Sequence, residues 1–235
     1  MKKIFALIGL VLTVFSYSVF AASETDRKYE HADLVMILDK SGSMHGMESD
    51  TIGGFNSMLD KQRKLDVKTD VTTVMFNNRS DYIHERKALK DINNLTSEDY
   101  MPQGSTALLD CVGMTIDKVA GYYGVSDKKN KVIFAIITDG KENSSREYSK
   151  QNVKKLIEAK KEEGWEFVFL GANIDAVSEA GAIGITSDRV VQYKATKMGV
   201  RKNFDAVASF AEEAVAGKAV SENWKDKAEQ DTPKN

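Results

Sequence analysis

The stretch ADLVMILDKSGS, Ala32 to Ser43, constrains this chain more than any other. It opens on an apolar run, Leu34 to Leu38, with the length and Val/Ile/Leu character of a strand covered on both faces. The run stops at Asp39, and Ser41, Gly42 and Ser43 follow at once. A carboxylate and two hydroxyls at alternate positions of a tight loop can converge on one point, and Gly42 lets the backbone bend between them. Oxygen-only donors suit a hard cation, Mg²⁺ first, with Mn²⁺ or Ca²⁺ as alternatives. The DxSxS pattern alone is weak, because Asp and Ser are common. Its weight depends on whether later segments bring further donors to the same place.

The remaining chain reads as strands alternating with helices. Met44 to Lys64 has helical spacing, with Met47, Ile52, Phe55, Met58, Leu59 and Leu65 as its buried stripe. Gly53 and Gly54 within it suggest a close approach to a sheet. Val67 to Phe76 is a second strand, and Asn77-Asn78 turns into a short polar antiparallel edge strand, Asp81 to Glu85. A charged connector, Lys87 to Tyr100, leads to Gly104-Ser105-Thr106 and an amphipathic helix carrying Leu108, Leu109, Val112, Ile116, Val119 and Tyr123 on one face. Val132 to Ile137 is another buried strand, ending in Thr138-Asp139-Gly140. A charged helix spans Glu147 to Glu163, then a strand Phe167 to Leu170 and a short helix Ile174 to Ala182. A last strand, Val190 to Tyr193, and a last helix, Phe204 to Val215, complete the pattern.

This order predicts an α/β fold: a Rossmann-like, doubly wound, mostly parallel sheet with one short antiparallel edge strand and helices on both faces. Sites in such folds form beyond the carboxyl ends of the strands. Asp39 and Asp139 both end long buried strands, so they are expected on the same edge of the sheet.

With 235 residues, 42% of them hydrophobic, the chain supports one sizeable core. The N-terminus reads as a secretory signal over residues 1–21: Lys2 and Lys3, an apolar stretch from Ile4 to Val14, and small residues before a cut after Ala21, or after Ala22. An uncleaved membrane tether is the alternative, since the apolar run could just span a bilayer. A short lead-in over 22–31, a domain over 32–217 and a polar, frayed tail over 218–235 follow. Cleavage removes two lysines and no acid, taking the formal net charge from −2 to −4, which argues against nucleic acid or a membrane surface as partner. The single cysteine, Cys111, excludes an intrachain disulfide and reads as a small buried residue.

Three segments therefore point to one place: Asp39, Ser41 and Ser43; Thr106 after Gly104; and Asp139. This set resembles the metal-ion-dependent adhesion site of von Willebrand factor type A domains, in which DxSxS is joined by a Thr from a later loop and an Asp from a later strand end. The resemblance covers about residues 32 to 217. ESDTIGGFNSML, GSTALLD, TDGKENSSREY and FVFLGANIDA further resemble stand-alone bacterial and phage members, although an export signal departs from that subgroup. It implies that Ser41, Ser43 and Thr106 touch a divalent cation through their hydroxyls and that Asp39 and Asp139 bind it directly or through water. It also implies an adhesion-type binding module rather than an enzyme, with an exposed Asp or Glu of a protein partner completing the cation's shell. A cell-envelope assembly factor with a vestigial site is the second reading.

His45, Glu142 and Asn143 lie close enough in sequence to rim such a site; a solvated helix start and a plain polar loop are the simpler readings. Enzyme patterns are missing. A dehalogenase-type phosphatase needs an Asp where Ser41 stands, no GxSxG elbow is present, and neither nucleotide-binding glycine loop occurs. A metal-dependent hydrolase is the remaining catalytic alternative.

Overall fold

The computed structural model describes residues 28–229 apart from residue 195, so the signal segment at 1–21 lies outside the described residues. In chain order the main elements are β1 (His31–Asp39), α1 (Glu48–Gln62), β2 (Lys68–Phe76), β3 (Ser80–Ala88), α2 (Leu108–Ala120) and β4 (Asn130–Thr138). They continue as α3 (Lys150–Glu162), β5 (Glu166–Ala172), α4 (Ala176–Ala182), β6 (Val190–Tyr193), α5 (Lys197–Val215) and α6 (Asp226–Glu229).

The strands form one six-stranded sheet in the order β3-β2-β1-β4-β5-β6. Every pairing is parallel except β2 with β3. Reversal of strand order on either side of β1 makes the sheet doubly wound and puts a switch point between β1 and β4. Burial on both faces explains the continuous apolar runs. Leu34, Met36 and Leu38 face one core with Phe55 and Met58 of α1 and Phe204, Val207 and Phe210 of α5. Val35 and Ile37 face the other with Val112 and Ile116 of α2 and Ile157 of α3.

Several details depart from the sequence reading. The helix expected from Met44 begins at Glu48, because Gly46 takes φ +85° and separates it from a short 3-10 turn at Gly42–Met44. Gly54 approaches α5 rather than the sheet: a Cβ there would lie 2.4 Å from a ring carbon of Phe204. The antiparallel strand runs nine residues instead of five. Its register shifts opposite Val71 to Val74, and Arg86 within the irregularity takes φ +44°. The Arg86 guanidinium donates to both oxygens of buried Asp33 at 2.9 and 3.0 Å, which anchors this edge to β1. Tyr123 falls past the end of α2 and is exposed, not part of its buried stripe.

The helix expected from Phe204, α5, starts seven residues earlier, capped by the Thr196 hydroxyl, which accepts from Gly199 N–H at 3.1 Å, and α6 follows it. The polar tail is also not frayed where described. Trp224 is 1% exposed, packs edge-on against Phe210 at 5.1 Å between centroids, and donates its indole N–H to Asp188 O at 3.3 Å. One aromatic residue thus docks a segment whose composition reads as solvated.

Two outcomes test this packing. Trp224→Ala should destabilise the fold by about 3–5 kcal/mol in denaturant titration, the range for emptying a buried aromatic site; an unchanged midpoint would mean the tail is frayed after all. Burial pushes the Cys111 thiol up to about 12, so a thiol reagent at mildly alkaline pH should label it only as fast as the protein unfolds. Prompt labelling of native protein would contradict that burial.

Candidate metal centre

Parallel pairing of β1 with β4 sets Leu38 beside Ile137, so both chains leave the sheet together. Asp39 is the last residue of β1, and Asp139 follows the last residue of β4. Asp39 is 1% exposed and its carboxylate is held from two sides. Ser41 N–H donates to Oδ1 at 2.7 Å, and the Thr138 hydroxyl donates to Oδ2 at 2.6 Å. The first contact bends the DKSGS loop over its own aspartate; the second ties that loop to β4.

Ser41 Oγ lies 3.1 Å from Ser43 Oγ, and Ser43 Oγ donates to Asp139 Oδ1 at 2.6 Å. Thr106 arrives from the third segment, whose backbone interlocks with the first. Gly42 N–H donates to Gly104 O at 3.0 Å, and Gln103 N–H donates to Lys40 O at 2.8 Å. Gly104 takes φ +79°. Asp39, Ser41, Thr106 and Asp139 are buried, while Ser43 reaches solvent and gives the centre its open side.

Gly140 supplies a geometric test of whether these donors share a point. A Cβ there would sit 2.9 Å from Thr106 Oγ1, 3.5 Å from Ser43 Oγ and 3.6 Å from Asp39 Oδ2. Donors from two loops and a strand end therefore surround a position that stays open because residue 140 has no side chain. Two carboxylates and three hydroxyls make a hard donor set, without nitrogen or sulfur, that fits a divalent cation of the Mg²⁺ type. Among the described residues no cluster of three or more His, Cys, Asp or Glu side chains offers a competing centre.

Burial raises the Asp39 carboxyl above its ordinary range despite the hydrogen bonds from Thr138 and Ser41, and the nearby Asp139 charge adds to the rise. Burial likewise raises Asp139 against the Ser43 hydrogen bond. Both carboxylates thus sit where negative charge is disfavoured, and a bound cation would relieve both.

The expected rim residues have other duties. Glu142 Oε2 accepts Leu109 N–H at 3.0 Å and Ser145 Oγ–H at 2.8 Å, and its Oε1 accepts the N–H groups of Ser144 and Ser145 at 2.9 and 2.7 Å. It therefore caps α2 and folds its own loop. Asn143 clamps Thr106: its Oδ1 accepts Thr106 N–H at 2.9 Å, and its N–H donates to Thr106 O at 3.0 Å. His45 is 69% exposed, with Nδ1 3.4 Å from Glu48, and Asn143 is exposed as well. Sequence reading also missed Thr138 and Tyr100, whose hydroxyl donates to Asp39 O at 2.5 Å. Thr138 carried a weak signal in its place before Asp139; Tyr100 carried none.

Loss of the Glu142 carboxylate should therefore be felt in the fold. Glu142→Ala is expected to lower metal-free stability by about 2 kcal/mol, the scale for leaving charged-acceptor hydrogen bonds unmade. Thermal unfolding in chelator measures it, and an unchanged midpoint would return Glu142 to the rim.

Known structures share this architecture. Proximal thread matrix protein 1 from the mussel byssus superposes with a TM-score of 0.54 at 16% identity, over 77% of this chain and 46% of its own. A structure of the same mussel protein with a zinc-occupied metal-ion-dependent adhesion motif gives 0.51 at 17% identity, over 81% of this chain and 46% of its own. The von Willebrand factor domain of a type V pilus tip protein from Porphyromonas gingivalis gives 0.58 at 10% identity, over 82% of this chain and 99% of its own. The chain spans about half the length of the mussel protein and nearly all of the pilus domain. No protein-family model and no curated protein matches the sequence. At these identities the likeness establishes the fold: the chain has the von Willebrand factor type A architecture.

Proposed function

We propose that this von Willebrand factor type A domain is an exported, metal-dependent protein-binding module, periplasmic or secreted, and not an enzyme. The observation that carries the reading is the convergence of Asp39, Ser43 and Thr106 around the position beside Gly140, with Ser41 and Asp139 each within hydrogen-bond distance of Ser43. Ser41, Ser43 and Thr106 hold the cation through their hydroxyls, while Asp39 and Asp139 hold it directly or through water. With at most two carboxylates, the shell leaves the bound ion with Lewis-acid character toward an anionic group from outside.

The rest of the role belongs to the chain's own residues. Thr138 and Ser41 N–H fix the Asp39 carboxylate, Asn143 holds the Thr106 backbone, and the exposed side of Ser43 is where a partner's Asp or Glu arrives. The mussel and pilus-tip proteins are a matrix protein and a pilus component, which supports a role in protein contacts. No helix among the described residues is long and apolar enough to cross a membrane. Export rests on the sequence of residues 1–21.

The test is calorimetric titration of Mg²⁺, Mn²⁺ and Ca²⁺ into chelator-stripped protein, beside Asp39→Ala. The native protein should bind one ion per chain and gain about 2.7 kcal/mol of stability at a hundredfold excess over Kd. Asp39→Ala should lose both effects while keeping its circular dichroism. A folded variant that still binds metal as the native protein does would overturn the assignment.

A further inference from the structure

Among the described residues only four large hydrophobic side chains stand exposed: Met101, Tyr123, Val177 and Met198. Three of them rise on the carboxyl edge of the sheet that carries the candidate metal centre. Met101 is 61% exposed and lies between Tyr100, which donates to Asp39 O, and Gln103, which donates to Lys40 O. It therefore flanks the centre toward β2. Val177 and Met198, 47% and 59% exposed, begin the helices that follow β5 and β6, so they flank the centre on the opposite side. A residue type that normally shuns water is thus placed on both sides of an open cation position.

The segment from β6 into α5 is one-signed, although exposed Asp175 caps α4 beside Val177. From Val190 to Phe204 the chain carries Lys194, Lys197, Arg201 and Lys202 and no acidic residue. Arg201 is engaged with Asp50 at 2.8 Å. Lys194 and Lys197 are exposed, as is Lys141 two residues after Asp139, and none of these three makes an ion pair among the described residues. The helix start is also held in place. Gly199 packs so tightly on Lys194 O that a Cβ would come within 2.2 Å of it, and Thr196 caps the turn. Lys197 and Met198 therefore open a capped helix.

We infer that this edge docks an acidic, apolar peptide segment of a protein partner. Its metal-bound carboxylate is flanked by bulky apolar residues that meet Met101 on one side and Met198 with Val177 on the other, and by further acidic residues that meet Lys141, Lys194 and Lys197. The inference rests on the metal-dependent reading above and adds the partner's composition to it. Charge complementarity favours this occupant, because a cation and three lysines that make no ion pair among the described residues repel a basic surface. Apolar contact supplies the area that one carboxylate cannot.

The experiment selects a random-peptide display library on immobilised full-length protein in Mn²⁺, eluting with chelator. In parallel it uses Asp39→Ala and the triple variant Lys194→Gln, Lys197→Gln, Met198→Ser. Native protein should enrich peptides with an Asp or Glu beside large apolar residues and a second acid. The triple variant should bind metal calorimetrically as native does and still enrich the central acid and the apolar flank that meets Met101, but lose the opposite flank, the apolar and acidic preference set by Met198, Lys194 and Lys197. Identical pools from native and triple variant, or no enrichment by native protein that binds metal, would overturn the inference alone. Enrichment that survives in Asp39→Ala would overturn the metal reading instead.

Discussion

The buried carboxylate of Asp39 is the interaction on which the site depends. A charge removed from water at the end of a central strand is costly unless its oxygens are bonded. Here the two oxygens accept from the backbone N–H two residues ahead and from a hydroxyl on the neighbouring strand. The first bond dictates the shape of the DKSGS loop, and the second makes that shape conditional on the β1–β4 register. Tyr100 adds a third tie, through the Asp39 carbonyl, that carries the 101–104 loop and hence Thr106 to the same place. Three segments separated by long stretches of chain are therefore positioned by contacts made to one residue.

Much of this was legible because parallel sheets carry their evidence in short windows. Continuous apolar runs at 34–38 and 132–137 announced strands buried twice, and an aspartate closing each run announced a shared edge. Element boundaries were less legible where glycine or capping overrode periodicity. Gly46 delayed α1, and the Thr196 cap advanced α5 through residues whose lysines and glycine disguised a helix. Trp224 was invisible for a different reason: its burial depends on Phe210 and Asp188, and no local pattern reports a partner that distant. Glu142 shows the same limit at the site. A carboxylate three residues beyond Asp139 looks available, yet four donors consume it.

The difference between holding and being held separates the two kinds of polar residue at this edge. Asp110 accepts the N–H groups of Arg146, Glu147 and Tyr148, and Glu142 reciprocates by capping the helix that bears Asp110. These two carboxylates lock α2 to the loop after β4, which fixes Thr106 and Asp139 relative to each other. The polar density of GKENSSREY is therefore mostly scaffold, and Gly140 at its head is where a side chain would crowd the donors, its Cβ 2.9 Å from Thr106 Oγ1.

Net charge understates what an approaching partner would encounter. The chain is mildly acidic overall, with a formal charge of −2, but its acids are unevenly deployed. At the carboxyl edge, Asp81 is paired with Lys40 at 2.5 Å and Asp50 with Arg201, Glu142 is bonded to α2 and within its own loop, Glu48 lies beside His45, and Asp175 caps α4. Lys141, Lys194 and Lys197 make no ion pair there among the described residues. Charges beyond about 8 Å are screened at physiological ionic strength, so a partner at contact distance responds to this local set and not to the whole protein. A divalent ion shared by Asp39 and Asp139 would cancel their charge and leave the lysines dominant. The edge then favours an anionic segment even though the molecule as a whole is an anion, and apolar side chains on either side decide which anionic segments stay.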